Sequence, residues 1–130
     1  MSDGPAVPAL SDAARRLQRD YRPAFLRYLS RRDELSRNAG YELGRAAVGR
    51  GQGMLDLVAA HQVTLLEVLP DAREPDEAAS MCTAAAEFLT EVLASFAMAS
   101  SAFAGAQEQL QQAQDEVAVL RRRLAAQDGH

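Results

Sequence analysis

Residues 103–124 read FAGAQEQLQQAQDEVAVLRRRL, and their apolar side chains repeat every seven residues. One position of the repeat holds Phe103, Leu110, Val117 and Leu124, and the other holds Ala106, Ala113 and Leu120. An apolar seam with this period is covered only when a second helix packs along it. The stretch therefore predicts a coiled coil that joins two copies of the chain.

The apolar stripe continues upstream of the coiled coil as far as Met81, at steps of three or four residues. This spacing predicts one long helix that starts after Pro75 and ends near Gln127. The side chains predicted to form dimer contacts are Phe96, Phe103, Leu110, Val117, Leu120 and Leu124. Gly105 is the one weak point in this helix and the expected joint. A globular part joined to a dimerisation helix is typical of a signalling module and not of an enzyme.

Three further helices are predicted upstream, over about Asp12 into the 20s, Ser36–Val48 and Met54–Leu69. Pro23 falls inside the first and is expected to kink or restart it. The pattern gives no strand signal, so we expect an all-α fold, a four-helix bundle-like domain whose long fourth helix extends into a C-terminal coiled coil. The predicted divisions are a disordered tail (1–10), a helical domain (11–104) and a coiled-coil linker or dimerisation helix (105–130).

Charge is distributed unevenly along the chain, although the net charge is only −4. Residues 15–50 carry ten Arg against four acids, and residues 51–120 carry one Arg against eleven acids. A basic face for nucleic acid, including Arg15, Arg16 and Arg19, is one interpretation. Packing of basic helices beside acidic helices is the favoured one, so no nucleic-acid partner is expected. The uncharged stretch 92–107 is short for a membrane span and carries three serines, so a soluble cytoplasmic protein without membrane contact is expected.

Few residues could carry chemistry. His61 on a helix has the outline of a phosphotransfer site, but no cation follows it, and a buried, hydrogen-bonded histidine is the favoured interpretation. Cys82 is expected to be a small core thiol. The glycines of residues 49–53 lack the Lys and Ser/Thr of a phosphate-binding loop and predict a helix end and turn. No catalytic residue, metal site or cofactor is predicted.

Five short segments resemble a known family in order and spacing. They are residues 21–29 (YRPAFLRYL), 41–45 (YELGR), 55–61 (LDLVAAH), 88–93 (FLTEVL) and 96–98 (FAM). Together they cover about residues 17–104 and resemble the N-terminal domain of the RsbU-type serine phosphatases of the bacterial general stress response. None of these segments is a catalytic motif.

The resemblance implies a non-catalytic helical homodimer that recruits a small switch kinase of the RsbT type. It further implies a signal relayed through the fourth helix to a downstream phosphatase or kinase output. By position, the family's kinase-binding surface maps to Tyr41, Thr90 and Ala94. Thr90 and Ala94 are smaller or more polar than the apolar anchors that the family pattern leads one to expect. A stand-alone phosphotransfer protein using His61 and a basic-face nucleic-acid-binding protein are the alternative functions.

Overall fold

Four α-helices make up the computed structural model, which describes residues 10–128. They are α1 (Asp12–Arg31), α2 (Glu34–Gly49), α3 (Met54–Val68) and α4 (Pro75–Asp128), and a short 3₁₀ turn (Leu69–Asp71) follows α3. Residues 10–128 contain no strand. The predicted all-α fold with a long fourth helix is confirmed. The predicted tail lies outside the described residues except for Leu10, and the division of the chain at 104/105 stays a prediction.

Side-chain caps fix where α1 and α2 begin. The Ser11 hydroxyl accepts the N–H of Ala14 at 3.1 Å, and a carboxylate oxygen of Asp33 accepts the N–H of Ser36 at 2.9 Å. These bonds satisfy amides that have no partner inside the helix. Since Asp33 is the cap, α2 begins at Glu34, two residues before the predicted Ser36, and the Ser36 side chain turns back to bond Asp33.

Pro23 lies within α1, which continues through it to Arg31 without a restart. A proline in a helix interior removes the hydrogen bond to the carbonyl four residues earlier, here Arg19. Both residues are exposed, so water can solvate the freed carbonyl. The turn to α2 is then closed by Arg32, which has φ of 50° in the left-handed region.

The core lies where α1 packs against the other helices. Its largest fully buried side chains include three aromatic residues of α1 (Tyr21, Phe25 and Tyr28), Leu57 of α3, and Phe88 and Val92 of α4. The Phe88 ring packs against all three aromatic rings of α1, with centroid distances of 5.3 to 5.9 Å. This aromatic cluster joins α1 to α4.

Met54 and Cys82 are both exposed. Met54 retains 43% of its accessible surface because it is the first residue of α3, where the helix has not yet reached the core. Cys82 is exposed because the buried stripe at this end of α4 is narrow and passes through Ala84 and Ala85. The interpretation of Cys82 as a core thiol is therefore wrong.

The chain divides into two compact units at Ala99 and Ser100. The first unit holds the core described above. In the second, residues 101–128 of α4 are exposed except for Gly105, which is half-buried. By length and composition α4 could cross a membrane. Core helices of soluble proteins pass the same test, so this is weak evidence for a membrane span.

Candidate functional site

Helices α2 and α4 approach each other closely through two glycines. A Cβ atom built on Gly40 would lie 2.9 Å from Cε1 of Phe88. One built on Gly44 would overlap the Ser95 hydroxyl and the Val92 carbonyl oxygen and lie 2.8 Å from the Phe96 amide nitrogen. The Ser95 hydroxyl also donates to the Tyr41 carbonyl oxygen at 2.7 Å. The backbones of the two helices are therefore almost in contact at Gly44.

A groove of about 520 Å³ runs along this helix pair. Its lining includes Tyr28 of α1, Arg37 of α2, and Glu87, Thr90 and Glu91 of α4. Helix α2 contributes Arg37 to the lining, and α4 contributes Glu87 and Glu91, so the groove carries side chains of opposite charge. A surface of this kind favours polar and charged partners over purely apolar ones.

Glu87, on the α4 side of the groove, is held in place by two hydrogen bonds. Its Oε2 atom accepts the Tyr28 hydroxyl at 2.8 Å and Nη2 of Arg32 at 2.9 Å. The hydrogen bond from Tyr28, and then that from Arg32, lowers the pKa of the Glu87 carboxyl. Glu87 is thus a fixed anion that links α4 to the C-terminal end of α1.

The three predicted partner-binding residues lie on this helix pair. Tyr41 is half-buried one turn after Arg37, and the guanidinium of Arg45 lies 6.0 Å from the centre of its ring. Thr90 lines the groove, and Ala94 follows one turn later on α4, both exposed. Thr90 and Ala94 are four residues apart and so lie on the same face of α4, whereas Tyr41 lies on α2. Their role in binding stays a prediction.

The predicted dimer residues of the second unit form an unpartnered apolar seam. The exposed fractions are 54% for Phe103, 53% for Leu110, 45% for Val117, 56% for Leu120 and 60% for Leu124. Phe96 differs from them, because it is half-buried and packs against the core of the first unit. The seam and Phe96 therefore lie in different surroundings, although they share one helical stripe.

His61 is built into the aromatic core. It is 7% exposed, and its Nδ1 atom lies 2.6 Å from the Tyr21 hydroxyl oxygen. Burial lowers the pKa of His61 and raises that of the Tyr21 phenol, so both groups are neutral near pH 7. The phenol can then donate to Nδ1, which leaves the ring proton on Nε2. A buried, hydrogen-bonded ring has poor access for a phosphoryl donor, so the geometry argues against phosphotransfer and for the structural interpretation.

The lowered pKa of His61 predicts a loss of stability in mild acid. Between the folded pKa and the ordinary value of 6.5, the unfolded chain binds more protons than the folded one. The free energy of unfolding should therefore fall as the pH drops below about 6.5, by at most about 1.4 kcal/mol per pH unit. Urea unfolding at pH 7.5, 6.5 and 5.5 would measure it.

Two variants make this measurement specific to His61. The His61→Gln variant should lose most of the slope, whereas the His130→Asn variant should keep it. Asp33 and Glu87 interfere little at pH 5.5 and above. Their pKa values are lowered in the folded chain, so their effect on stability begins only as the pH approaches the ordinary values of 3.8 and 4.5 that hold in the unfolded chain. An unchanged slope in His61→Gln would contradict the assignment.

Among residues 10–128, no group of three or more His, Cys, Asp or Glu side chains could hold a metal ion. Two structural features bear on function, the α2–α4 groove and the apolar seam.

The family comparison decides what kind of domain carries these features. Residues 19–99 match the family model described as "Phosphoserine phosphatase RsbU, N-terminal domain". The chain belongs to this family. This match confirms the predicted family. The RsbU N-terminal domain is a non-catalytic regulatory part of stress-signalling phosphatases. Searches of curated proteins and of solved structures gave no match.

The extent of the match separates the two features. The RsbU N-terminal match includes α2, α3 and the first part of α4, and so contains Tyr41, Thr90 and Ala94. It ends at residue 99, and the seam from Phe103 to Leu124 follows it. The groove therefore belongs to the family domain, whereas the seam lies beyond the matched residues.

The sequence analysis did not predict the charged side chains of the groove or the close contact of Gly40 and Gly44 with α4. The Gly40/Gly44 pair did carry a signal, because two glycines four residues apart lie on one helix face. The bond between Tyr28 and Glu87 carried none, since 59 residues separate them in sequence.

Proposed function

We propose that this chain is a homodimeric, cytoplasmic regulatory domain of a bacterial stress-signalling protein. In this proposal it recruits a switch kinase of the RsbT type at the α2–α4 groove and relays the event through α4 to a phosphatase or kinase output. The observation that carries the proposal is that α4 supplies both the groove wall with Thr90 and, further along, the seam from Phe103 to Leu124.

A second copy of the chain is the occupant that best suits the seam. Identical heptads in two copies are self-complementary, since each apolar residue meets its counterpart. Five large apolar side chains between residues 103 and 124 are 45–60% exposed in a single copy. Burying these side chains would stabilise the dimer by about 25 cal/mol for each Å² of apolar surface removed from water. Dimerisation therefore supplies the cover that the sequence pattern requires.

The groove suits recognition of a charged protein surface. Tyr41, one turn after Arg37 on α2 and beside the groove, offers an aromatic ring of the kind that often dominates the binding energy of an interface. Arg37 on one side and Glu87 and Glu91 on the other would fix the orientation of the partner. Thr90 and Ala94 supply little apolar surface, so charge contributes more of the contact here than large apolar anchors do. Occupying the groove would shift α4 only if the kinase bound one arrangement of α2 and α4 better than another.

Light scattering on residues 1–130 and on a form ending at Gly105 tests the dimer. Twice the monomer mass for both forms would mean that the helical domain itself dimerises. A dimer for the longer form only would assign dimerisation to the seam. Monomers in both cases would contradict a homodimeric relay.

Paired variants sharpen the assignment to the seam. Leu110→Glu with Val117→Glu places charges inside it and should dissociate a seam-held dimer. Gln112→Glu with Ala118→Glu adds the same charge on the outer face and should not. Titrating an RsbT-type kinase into the dimeric form then tests recruitment, with Tyr41→Ala expected to weaken binding and Leu55→Ala, on exposed α3 surface, expected to leave it unchanged.

A further inference from the structure

A second cleft, of about 530 Å³, lies on another side of the helical domain. It is formed by the N-terminal half of α1 and by the turn between α2 and α3. Its lining includes Arg16, Arg19 and Asp20 of α1, and Arg50, Gly51 and Gln52 of the turn. These residues come from parts of the sequence about 30 residues apart, so only the fold brings them together.

The cleft has an excess of positive charge. Nη1 of Arg50 pairs with Oδ2 of Asp20 at 3.0 Å. Arg16 and Arg19 have no carboxylate within 4 Å among residues 10–128. The lining of the cleft therefore contains three arginines and one carboxylate. Guanidinium stays charged at all ordinary pH values, and its planar fork matches the oxygens of a phosphate group.

The turn that carries Arg50 is firmly held. Gly51 has φ of +70°, and the N–H groups of Gly51 and Gln52 donate to the carbonyls of Val48 and Ala47 at 3.1 and 2.9 Å. These amides are thus occupied, so an anion in the cleft would be bound by side chains. Gln52 is only 8% exposed, and its Oε1 atom has no hydrogen-bond partner among the described residues.

We propose that this cleft binds a small phosphate-bearing anion through Arg16, Arg19 and Arg50. The anion would link α1 to the α2–α3 turn, replace Asp20 as the partner of Arg50, and so add a small-molecule input to the domain. A compact ligand fits better than nucleic acid, because the three arginines line one cleft that also holds a carboxylate. The chain as a whole is acidic, with a net charge of −4, which disfavours a long polyanion.

Calorimetric titration of the full chain with pyrophosphate at 150 mM salt tests the proposal. We expect saturable binding that Arg16→Gln and Arg50→Gln each weaken by about tenfold or more, the usual effect of losing a charge-assisted hydrogen bond. Arg27→Gln removes the same charge from exposed α1 surface outside the cleft and should change the affinity by less than about twofold. Asp20→Asn removes the competing carboxylate and should tighten binding.

Each result bears on the proposal. Weakening confined to the cleft variants, together with tighter binding by Asp20→Asn, would support it. Equal weakening by Arg27→Gln would overturn it, since binding would then follow overall charge. It would also be overturned by the absence of saturable pyrophosphate binding, or by strongly salt-dependent binding of duplex DNA without pyrophosphate binding. Circular dichroism of each variant excludes unfolding as the cause.

Discussion

Replacing Gly44 by alanine is expected to separate α2 from α4 and to lower the free energy of unfolding by about 3 kcal/mol. The new methyl group would overlap the Ser95 hydroxyl and the Val92 carbonyl oxygen, and would lie 2.8 Å from the Phe96 amide nitrogen. Two of these three atoms belong to the backbone of α4, so they cannot move aside as a side-chain tip can. The helices must therefore shift as bodies, which disturbs the packing of Phe88 near Gly40.

Urea unfolding followed by circular dichroism measures this loss, and Gly105→Ala is the matched control. Gly105 lies in α4, and a Cβ atom there would meet nothing within 4 Å. Alanine has the higher helix propensity, so this variant should gain up to about 1 kcal/mol. The same change of residue in two helices would then have opposite signs. A loss below about 0.5 kcal/mol for Gly44→Ala would show that the helix contact is less tight than the structure indicates.

Two further variants extend this test. Ser95→Ala combined with Gly44→Ala should recover only part of the loss, because the backbone atoms of Val92 and Phe96 remain in place.

Gly105→Ala in a fusion to an output domain tests the predicted joint, since a stiffer helix should change the output. An unchanged output would contradict a joint at Gly105.

The helices could be predicted because local signals were strong. Ser11, the glycines of residues 49–53 and Pro75 mark helix ends, and the apolar spacing between them has the helical period. Of the two outcomes predicted at Pro23, the restart of the helix is wrong, because a proline on an exposed face costs a helix less than one whose freed carbonyl is buried. The prediction for Cys82 was wrong because apolar spacing of three or four residues locates the buried face of a helix but not its width.

The site was less predictable than the fold. The family pattern predicted Tyr41, Thr90 and Ala94 as binding residues, and they lie on one helix pair. It did not predict that charged side chains line the groove beside Thr90. The positions of Arg37 and Glu87 depend on how α2 and α4 pack, and that depends on the glycine contact. The arginine cleft shows the same limit, since Arg16 and Arg50 come together only through the turn after α2.

Replacing Phe88 by alanine is expected to lower the free energy of unfolding by about 3 to 5 kcal/mol. Phe88 is 1% exposed, and its ring centre lies 5.3 Å from that of Tyr21 and 5.5 Å from that of Tyr28. Its removal leaves a cavity among side chains that are held by their own contacts. The Tyr28–Glu87 bond and the Tyr21–His61 bond both adjoin this space, so they should weaken as well.

Phe103→Ala is the matched control on the same helix. Phe103 is 54% exposed, so its loss should change the unfolding of the helical domain by less than about 0.5 kcal/mol. If the seam holds two copies together, however, the same variant should weaken self-association, which Phe88→Ala should not do while the domain stays folded. Unfolding must be measured at several protein concentrations, because assembly adds to apparent stability. Equal losses of stability in the two variants, independent of concentration, would contradict the division of α4 into a core segment and an assembly segment.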